Sequence, residues 1–202
     1  MIKNLIFDIG NVLMEYRGYI LLEESGMTKD EAKIAGDEMF SHPAWSHLDL
    51  GDPIDSVLKE YKELFPQYSK NIEYVLTHCD EMPIFWKDVW SRLHDLKQAG
   101  YHIYILSNYS REMLDIHTKG AEFWNYVDGA VISADCHMIK PHAEIYDYLL
   151  NKYHLKAEEC VFFDDKAENT ESASKRGIQS YTIRSKEYLL GLLDEFEREI
   201  KE

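Results

Sequence analysis

The chain has 202 residues, 45% of them apolar and 29% charged, with 10 Gly and 5 Pro. That is enough for one domain with a modest insert, and it excludes collagen-like, low-complexity and wholly disordered classes. The 22 Lys and Arg against 37 Asp and Glu leave a formal charge of -15, the wrong sign for a general binder of nucleic acid or anionic membrane, so an anionic ligand must be captured locally.

Residues 3–7 form a short apolar run, read as a buried strand, which feeds a tight loop at Asp8-Ile9-Gly10-Asn11. From about 16 to 82 no convincing strand follows. Helices are predicted over 29–40, 53–65 and 68–79, with loops over 41–52 and at Pro66. This segment reads as a helical insert emerging after the first strand, placed to stand over the carboxyl ends of the strands and close a site against water. The expected division is a core of residues 1–15 and 83–202 and a cap of residues 16–82.

Beyond it, residues 85–98 carry Trp86, Val89, Trp90, Leu93 and Leu96 at helical spacing, a buried stripe. Strands are predicted over 101–106, 126–133, 160–163 and 179–183. They alternate with helices over 110–118, 143–152 and 166–176, and a last helix spans 186–201 with Leu189, Leu190, Leu193 and Phe196 inward. Strands and helices in this alternation imply an α/β fold with a mostly parallel sheet covered on both faces. Three strands end in polar residues, at Asp8, at Ser107-Asn108 and at Asp164-Asp165. They point to one edge, where open sheets of this kind bind ligands.

Each of these residues has a plain structural role and a chemical one. Asp8 could cap a turn, or ligate Mg²⁺ and attack phosphorus. The Gly10 carbonyl could be a metal ligand without any side chain. Ser107-Asn108 could cap a helix or hold a phosphoryl oxygen. Lys140, fixed in a loop by Pro141, could be a solvated lysine or could neutralise a phosphate and a carboxylate together. Asp164 and Asp165 repel one another directly after an apolar strand unless a cation or water shell receives them; one of the pair could cap the helix that follows, or both could take a hard divalent cation with Asp8 as third carboxylate. Asn169 is placed to return and orient that pair.

The segments LIFDIGNV, ILSN, Lys140-Pro141 and VFFDDKAEN, spanning nearly the whole chain, resemble the haloacid dehalogenase superfamily of phosphatases, in a DxGNV branch that is sugar-phosphate-phosphatase-like. The resemblance implies a modified Rossmann-like three-layer sandwich with a helical cap after the first motif. It also implies a phosphoaspartyl mechanism on a small phosphorylated metabolite, such as a sugar phosphate. Asp8 would be nucleophile, Ser107 would hold an oxygen, and Lys140 would steady the charge. Mg²⁺ would sit on Asp8, the Gly10 carbonyl and Asp165, with Asp164 direct or through water, while Asn11, Asn108 and Arg17 would face the substrate.

One family element departs: the acid–base aspartate two places after the nucleophile is here Gly10. General acid–base help is worth roughly 10²- to 10⁴-fold, so a slow enzyme or one restricted to good leaving groups is expected. Glu15 and His42 are candidate substitutes. Two alternatives stay open: a 2-haloacid dehalogenase, whose halide needs no proton, and a phosphate-binding regulatory protein. Among cap residues Tyr16, Arg17, His42, Trp45 and His47 are candidate specificity contacts, with Arg17 foremost as an anion anchor, although a surface salt bridge is the expected role of such an arginine and the histidines could equally be hydrogen-bonded loop residues. Cys79, Cys136 and Cys160 lack a CxxC or zinc spacing and fit a reducing compartment. The opening MIKNLIF lacks a charged leader, so a cytoplasmic monomer or weak homodimer without nucleic-acid or membrane partners is expected.

Overall fold

The computed structural model describes residues 1–199. In chain order it contains β1 (Asn4–Phe7), β2 (Met14–Tyr16), α1 (Gly18–Glu24), α2 (Lys29–Phe40), α3 (Trp45–Asp49), α4 (Ile54–Leu64), α5 (Ser69–Thr77) and β3 (Pro83–Phe85). There follow α6 (Lys87–Gln98), β4 (His102–Ser107), α7 (Arg111–His117), β5 (Gly129–Ile132), α8 (Ser133–Cys136), α9 (Ala143–Lys152), β6 (Cys160–Asp164), α10 (Ala167–Ser174), β7 (Gln179–Thr182) and α11 (Lys186–Glu199). Positions 200–201 of the expected last helix lie outside the described residues.

The five-stranded sheet has the order β5-β4-β1-β6-β7, and every pairing is parallel. The chain steps from β1 out to β4 and β5, then returns across to β6 and β7. The order therefore reverses beside β1, the crevice where ligands bind open α/β sheets. Alternation along β1 divides the core. Leu5 and Phe7 join the layer containing Trp90, Leu93, Leu189 and Phe196, while Ile6 joins the opposite one with Ile145, Tyr146 and Leu149. The result is the expected three-layer sandwich.

Leu5, Ile6 and Phe7 of β1 are fully buried, so this run is apolar on both faces, and the first polar side chain beyond it emerges at the sheet edge as Asp8. Phe7 and Phe163 stack across β1 and β6 at 4.8 Å between ring centres. Trp90, read as core, is 2% exposed and donates its indole N–H to the Leu13 carbonyl at 2.8 Å. The aligned stripe of α6 thus holds the loop that follows Asp8.

The helical cap follows the first strand as expected, but a feature absent from the sequence reading carries it. β2 and β3 pair antiparallel, Met14 against Phe85 and Tyr16 against Pro83, forming a two-stranded stalk at the base of α1–α5. Each strand is only three residues long, too short to leave a periodic signal. The loop expected over 41–52 contains α3. Thr28 closes α2 with a full capping box to Glu31. Among the described residues no helix is long and apolar enough to cross a membrane.

Candidate active site

The carboxyl ends of β1, β4 and β6 bring four predicted residues together. Asp8 Oδ1 accepts from its neighbour Ile9 N at 2.8 Å and from Ser107 Oγ at 2.6 Å, and Lys140 Nζ lies 3.0 Å away. Oδ2 takes part in none of these bonds. Lys140 Nζ also donates to Asp164 Oδ2 at 2.6 Å and to the Leu106 carbonyl at 3.0 Å, so all three of its protons are directed. Asp164 Oδ1 accepts from Lys166 N at 2.8 Å and from Asn169 Nδ2 at 2.9 Å, the orienting contact expected of Asn169. Asp165 Oδ2 accepts from Asn11 Nδ2 at 3.0 Å, and Asn11 reaches it from a left-handed backbone, φ 52°, that asparagine tolerates.

Asp8, Asp164 and Asp165 each offer an oxygen within 4.8 Å of the others. With Lys140 the group carries a charge of -2 when fully ionised, in a place with little water to screen it. A divalent cation with oxygen ligands fits this donor set. Asp8 and Asp165 have oxygens to spare, whereas both oxygens of Asp164 are engaged. The bonds that bridge Gly10 to Met14, Asn11 N to the Met14 carbonyl and Met14 N to the Ile9 carbonyl, do not use the Gly10 carbonyl.

Burial, reinforced by Asp164 and Asp165, raises the Asp8 carboxyl to about 6 against the opposing pull of Lys140 and Ser107. Burial raises Asp165 likewise. Burial works against the charge of Lys140, yet Asp164 and Asp8 hold its ammonium above the ordinary lysine range. A carboxyl raised in the folded state contributes stability below its unfolded pKa and loses it as pH climbs through the folded value. The metal-free protein should therefore lose stability between about pH 4 and 7, and a divalent cation should restore it there. Magnesium at about a hundredfold over its Kd is worth about 2.7 kcal/mol. Calorimetry should show melting raised by about 5–10 °C near neutrality and by much less near pH 5; an equal rise at both would refute the coupling.

The other predicted residues divide. Asn108 turns both side-chain ends to the Lys140 backbone, donating to its carbonyl at 2.9 Å and accepting from its N–H at 2.8 Å. Its amide therefore positions the lysine and is not available as the expected substrate contact. The structure does not bring Arg17 to the site: it pairs with Glu24 and Glu81 and donates to the Glu81 carbonyl, at the cap base. Arg17→Ala should leave KM for a phosphate ester unchanged and cost no more than about 1 kcal/mol of stability; a large rise in KM would contradict this placement. His42 is engaged by Ala44 N and the Phe65 ring, and His47 by Glu60; neither lines the cavity. Tyr16, Trp45 and the exposed Glu15 do.

That cavity, about 740 Å³, lies between cap and sheet edge. Asp8, Lys140 and Asp165 stand on its core side; the rings of Tyr16, Tyr19, Phe40, Trp45 and Tyr109, with Leu48, Met82 and Met113, supply much of the rest. A Cβ on Gly10 would stand 2.5 Å from Tyr16 Cε2, so the tyrosine ring occupies the space a side chain at position 10 would need. Tyr109 shares its hydroxyl with His117 Nδ1 at 2.7 Å, and burial lowers that imidazole to about 4, leaving it neutral. Sequence reasoning missed several lining residues, among them His117, Lys166 and Asp49. Lys166 adjoins the acidic pair in sequence, a signal that points to it, whereas Asp49 lies within the loop expected over 41–52 and carries no such signal.

The family model for haloacid dehalogenase-like hydrolases matches residues 44–183. Among curated proteins the chain is 24% identical over 193 residues to a drimenol cyclase of Aspergillus calidoustus, covering 93% of this chain and 35% of that protein. It is 28% identical over 185 residues to a sesquiterpene phosphatase of Aspergillus oryzae, 87% of each. The chain thus spans about a third of the first relative and most of the second. Among solved structures, a HAD-like family hydrolase from Porphyromonas gingivalis superposes with a TM-score of 0.75 at 20% identity over 98% of both chains. A HAD family enzyme from Bacteroides thetaiotaomicron, in complex with magnesium and inorganic phosphate, gives 0.69 at 22% identity over 92% of this chain and 96% of that one. Fold, carboxylate cluster and family model agree: the chain belongs to the haloacid dehalogenase-like hydrolases.

Proposed function

We propose that the protein is a magnesium-dependent phosphomonoester hydrolase that works through a phosphoaspartate on Asp8. The observation that carries this is the asymmetry of Asp8: three donors fix Oδ1 and leave Oδ2 as the free nucleophilic oxygen. Asp165, the Gly10 carbonyl and Asp8 through Oδ1, which Ser107 would vacate, would hold the metal, with Asp164 acting through water because its own oxygens are engaged. When bound, the cation supplies charge neutralisation and Lewis acidity at a phosphoryl oxygen. Lys140 holds the nucleophile's orientation and offsets its charge, and Ser107 would turn its hydroxyl from Asp8 to a phosphoryl oxygen. The cap shields the reaction from bulk water.

The crowded carboxylates support a cation-requiring reaction over 2-haloacid dehalogenation. The ring-lined wall supports an ester with an apolar body over a sugar phosphate, and the similarity to a sesquiterpene phosphatase supports the same choice. Phosphate release should be measured from decyl phosphate, 4-nitrophenyl phosphate and glucose 1-phosphate, with magnesium and with chelator. Magnesium-dependent release favouring the first two is expected. Preference for glucose 1-phosphate would overturn the apolar assignment, and no release from any would overturn the hydrolase.

A further inference from the structure

Gly10 leaves the proposed reaction without a proton donor for the leaving alcohol, and Tyr16 closes the space such a donor would need from position 10. A side-chain donor for it would have to stand on another wall of the same cavity. Glu15 is a poor source: it is exposed at the rim, shared with the adjacent depression beside Ile84 and Lys186. The Tyr16 hydroxyl is held protonated by burial and by Tyr109, so it cannot return as a base. Asp49, the last residue of α3, is different. It lines the cavity with Asp8, and among the described residues no hydrogen bond or ion pair holds its carboxylate.

The core fixes where that residue stands. Its carbonyl accepts from Ser133 Oγ, the next carbonyl, Leu50, accepts from His137 Nδ1 at 2.7 Å, and the Ile54 N–H reaches Glu112 at 3.2 Å. A cap residue is thereby pinned to the sheet edge by β5–α8 and α7. It shares the cavity wall with Tyr16, Tyr109, Lys140 and Lys166, and its charge is attracted by the two lysines and repelled by Asp8 across that space. Burial and Asp8 raise its carboxyl to about 7 against those two lysines, suited to giving and taking a proton near neutrality.

We propose that Asp49 is the general acid and base that position 10 does not supply, an inference that rests on the phosphatase reading above. In the first step the Asp8 Oδ2–P bond forms and the P–O ester bond breaks, while the Asp49 carboxyl gives its proton to the departing oxygen, releasing the alcohol. In the second, the Asp49 carboxylate takes a proton from water as its oxygen bonds to phosphorus. The P–Oδ2 bond then breaks to free Asp8 and inorganic phosphate, and Asp49 is protonated again.

The test compares Asp49→Asn with wild type on two phosphates of unlike leaving group. Decyl phosphate, which needs protonation, should lose about 10²- to 10⁴-fold in kcat/KM. 4-Nitrophenyl phosphate should keep its first step, giving a burst of one equivalent of nitrophenol followed by slow turnover as the phosphoenzyme accumulates. Equal losses on both esters, or undiminished turnover of decyl phosphate, would overturn the assignment. Asp8→Asn, run in parallel, separates the two ideas: turnover surviving there would overturn the phosphatase reading itself. A readout independent of activity is the carboxyl titration of Asp49 by ¹³C NMR in metal-free wild type, expected near pH 7; a midpoint in the ordinary aspartate range would overturn the proposal.

Discussion

Asp8→Asn is expected to lower phosphate release by about 10⁶-fold, the scale on which removing a covalent nucleophile acts. The amide oxygen can still accept from Ile9 N, Ser107 and Lys140, so geometry survives while the nucleophilic carboxylate is lost. The same change removes one of three crowded negative charges. Because the Asp8 carboxyl is raised to about 6, its ionised form costs the folded state stability above that pH. The variant should therefore melt higher than wild type near pH 7.5 in chelator, and the difference should vanish near pH 4. A dead variant that melts lower at both would mean that Asp8 is chiefly structural.

Lys140→Met is expected to have the largest effect on stability. Its side chain is 1% exposed and lies between Asp164, at 0%, and Asp8, at 12%. Its removal leaves buried carboxylates without a cation, which costs about 3–5 kcal/mol. The loss should shrink as pH falls through about 6 and the raised carboxyls take up protons. Urea unfolding at about pH 7.5 and pH 5 measures both values. A variant as stable as wild type near neutrality would show that Lys140 does not hold the cluster together.

The core and the residues at its edge were legible because both obey local rules. An apolar run of four or five residues that stops at Asp8, at Ser107 or at Asp164 states where a buried strand meets solvent, and parallel order then gathers those ends. The α6 stripe of Trp86, Val89, Trp90, Leu93 and Leu96 could be read from spacing alone, and all five are buried. What local sequence does not show is which partners the fold brings to each side chain. Arg17 is basic beside the first motif, but Glu24, two turns along α1, and Glu81, brought close by the β2–β3 stalk, claim its guanidinium. Asn108 follows a strand end as a substrate contact should, yet the backbone of Lys140, 32 residues on, occupies its amide.

Asp49 marks the same boundary in a more consequential place. Its neighbours in sequence give no reason to single it out, and what makes it chemical is the docking of α3 on Ser133 and His137. Gly10, conversely, was visible as a departure from the family but not explicable. Its backbone is not left-handed; the structure accounts for it by the Tyr16 ring standing where a side chain would go. Gly10→Asp therefore introduces a steric conflict with that ring, and local sequence gives no warning of it.

The central claim is a covalent phosphoryl group on Asp8. Protein mixed with magnesium and 4-nitrophenyl phosphate, quenched in acid within the first turnover and digested, should yield the peptide carrying Asp8 heavier by one HPO₃, with the label absent from Asp8→Asn. Borohydride reduction of the labelled protein should convert that aspartate to homoserine. Phosphate release under the same conditions with no label on Asp8 at any time, or with equal label in the Asn variant, would contradict the account.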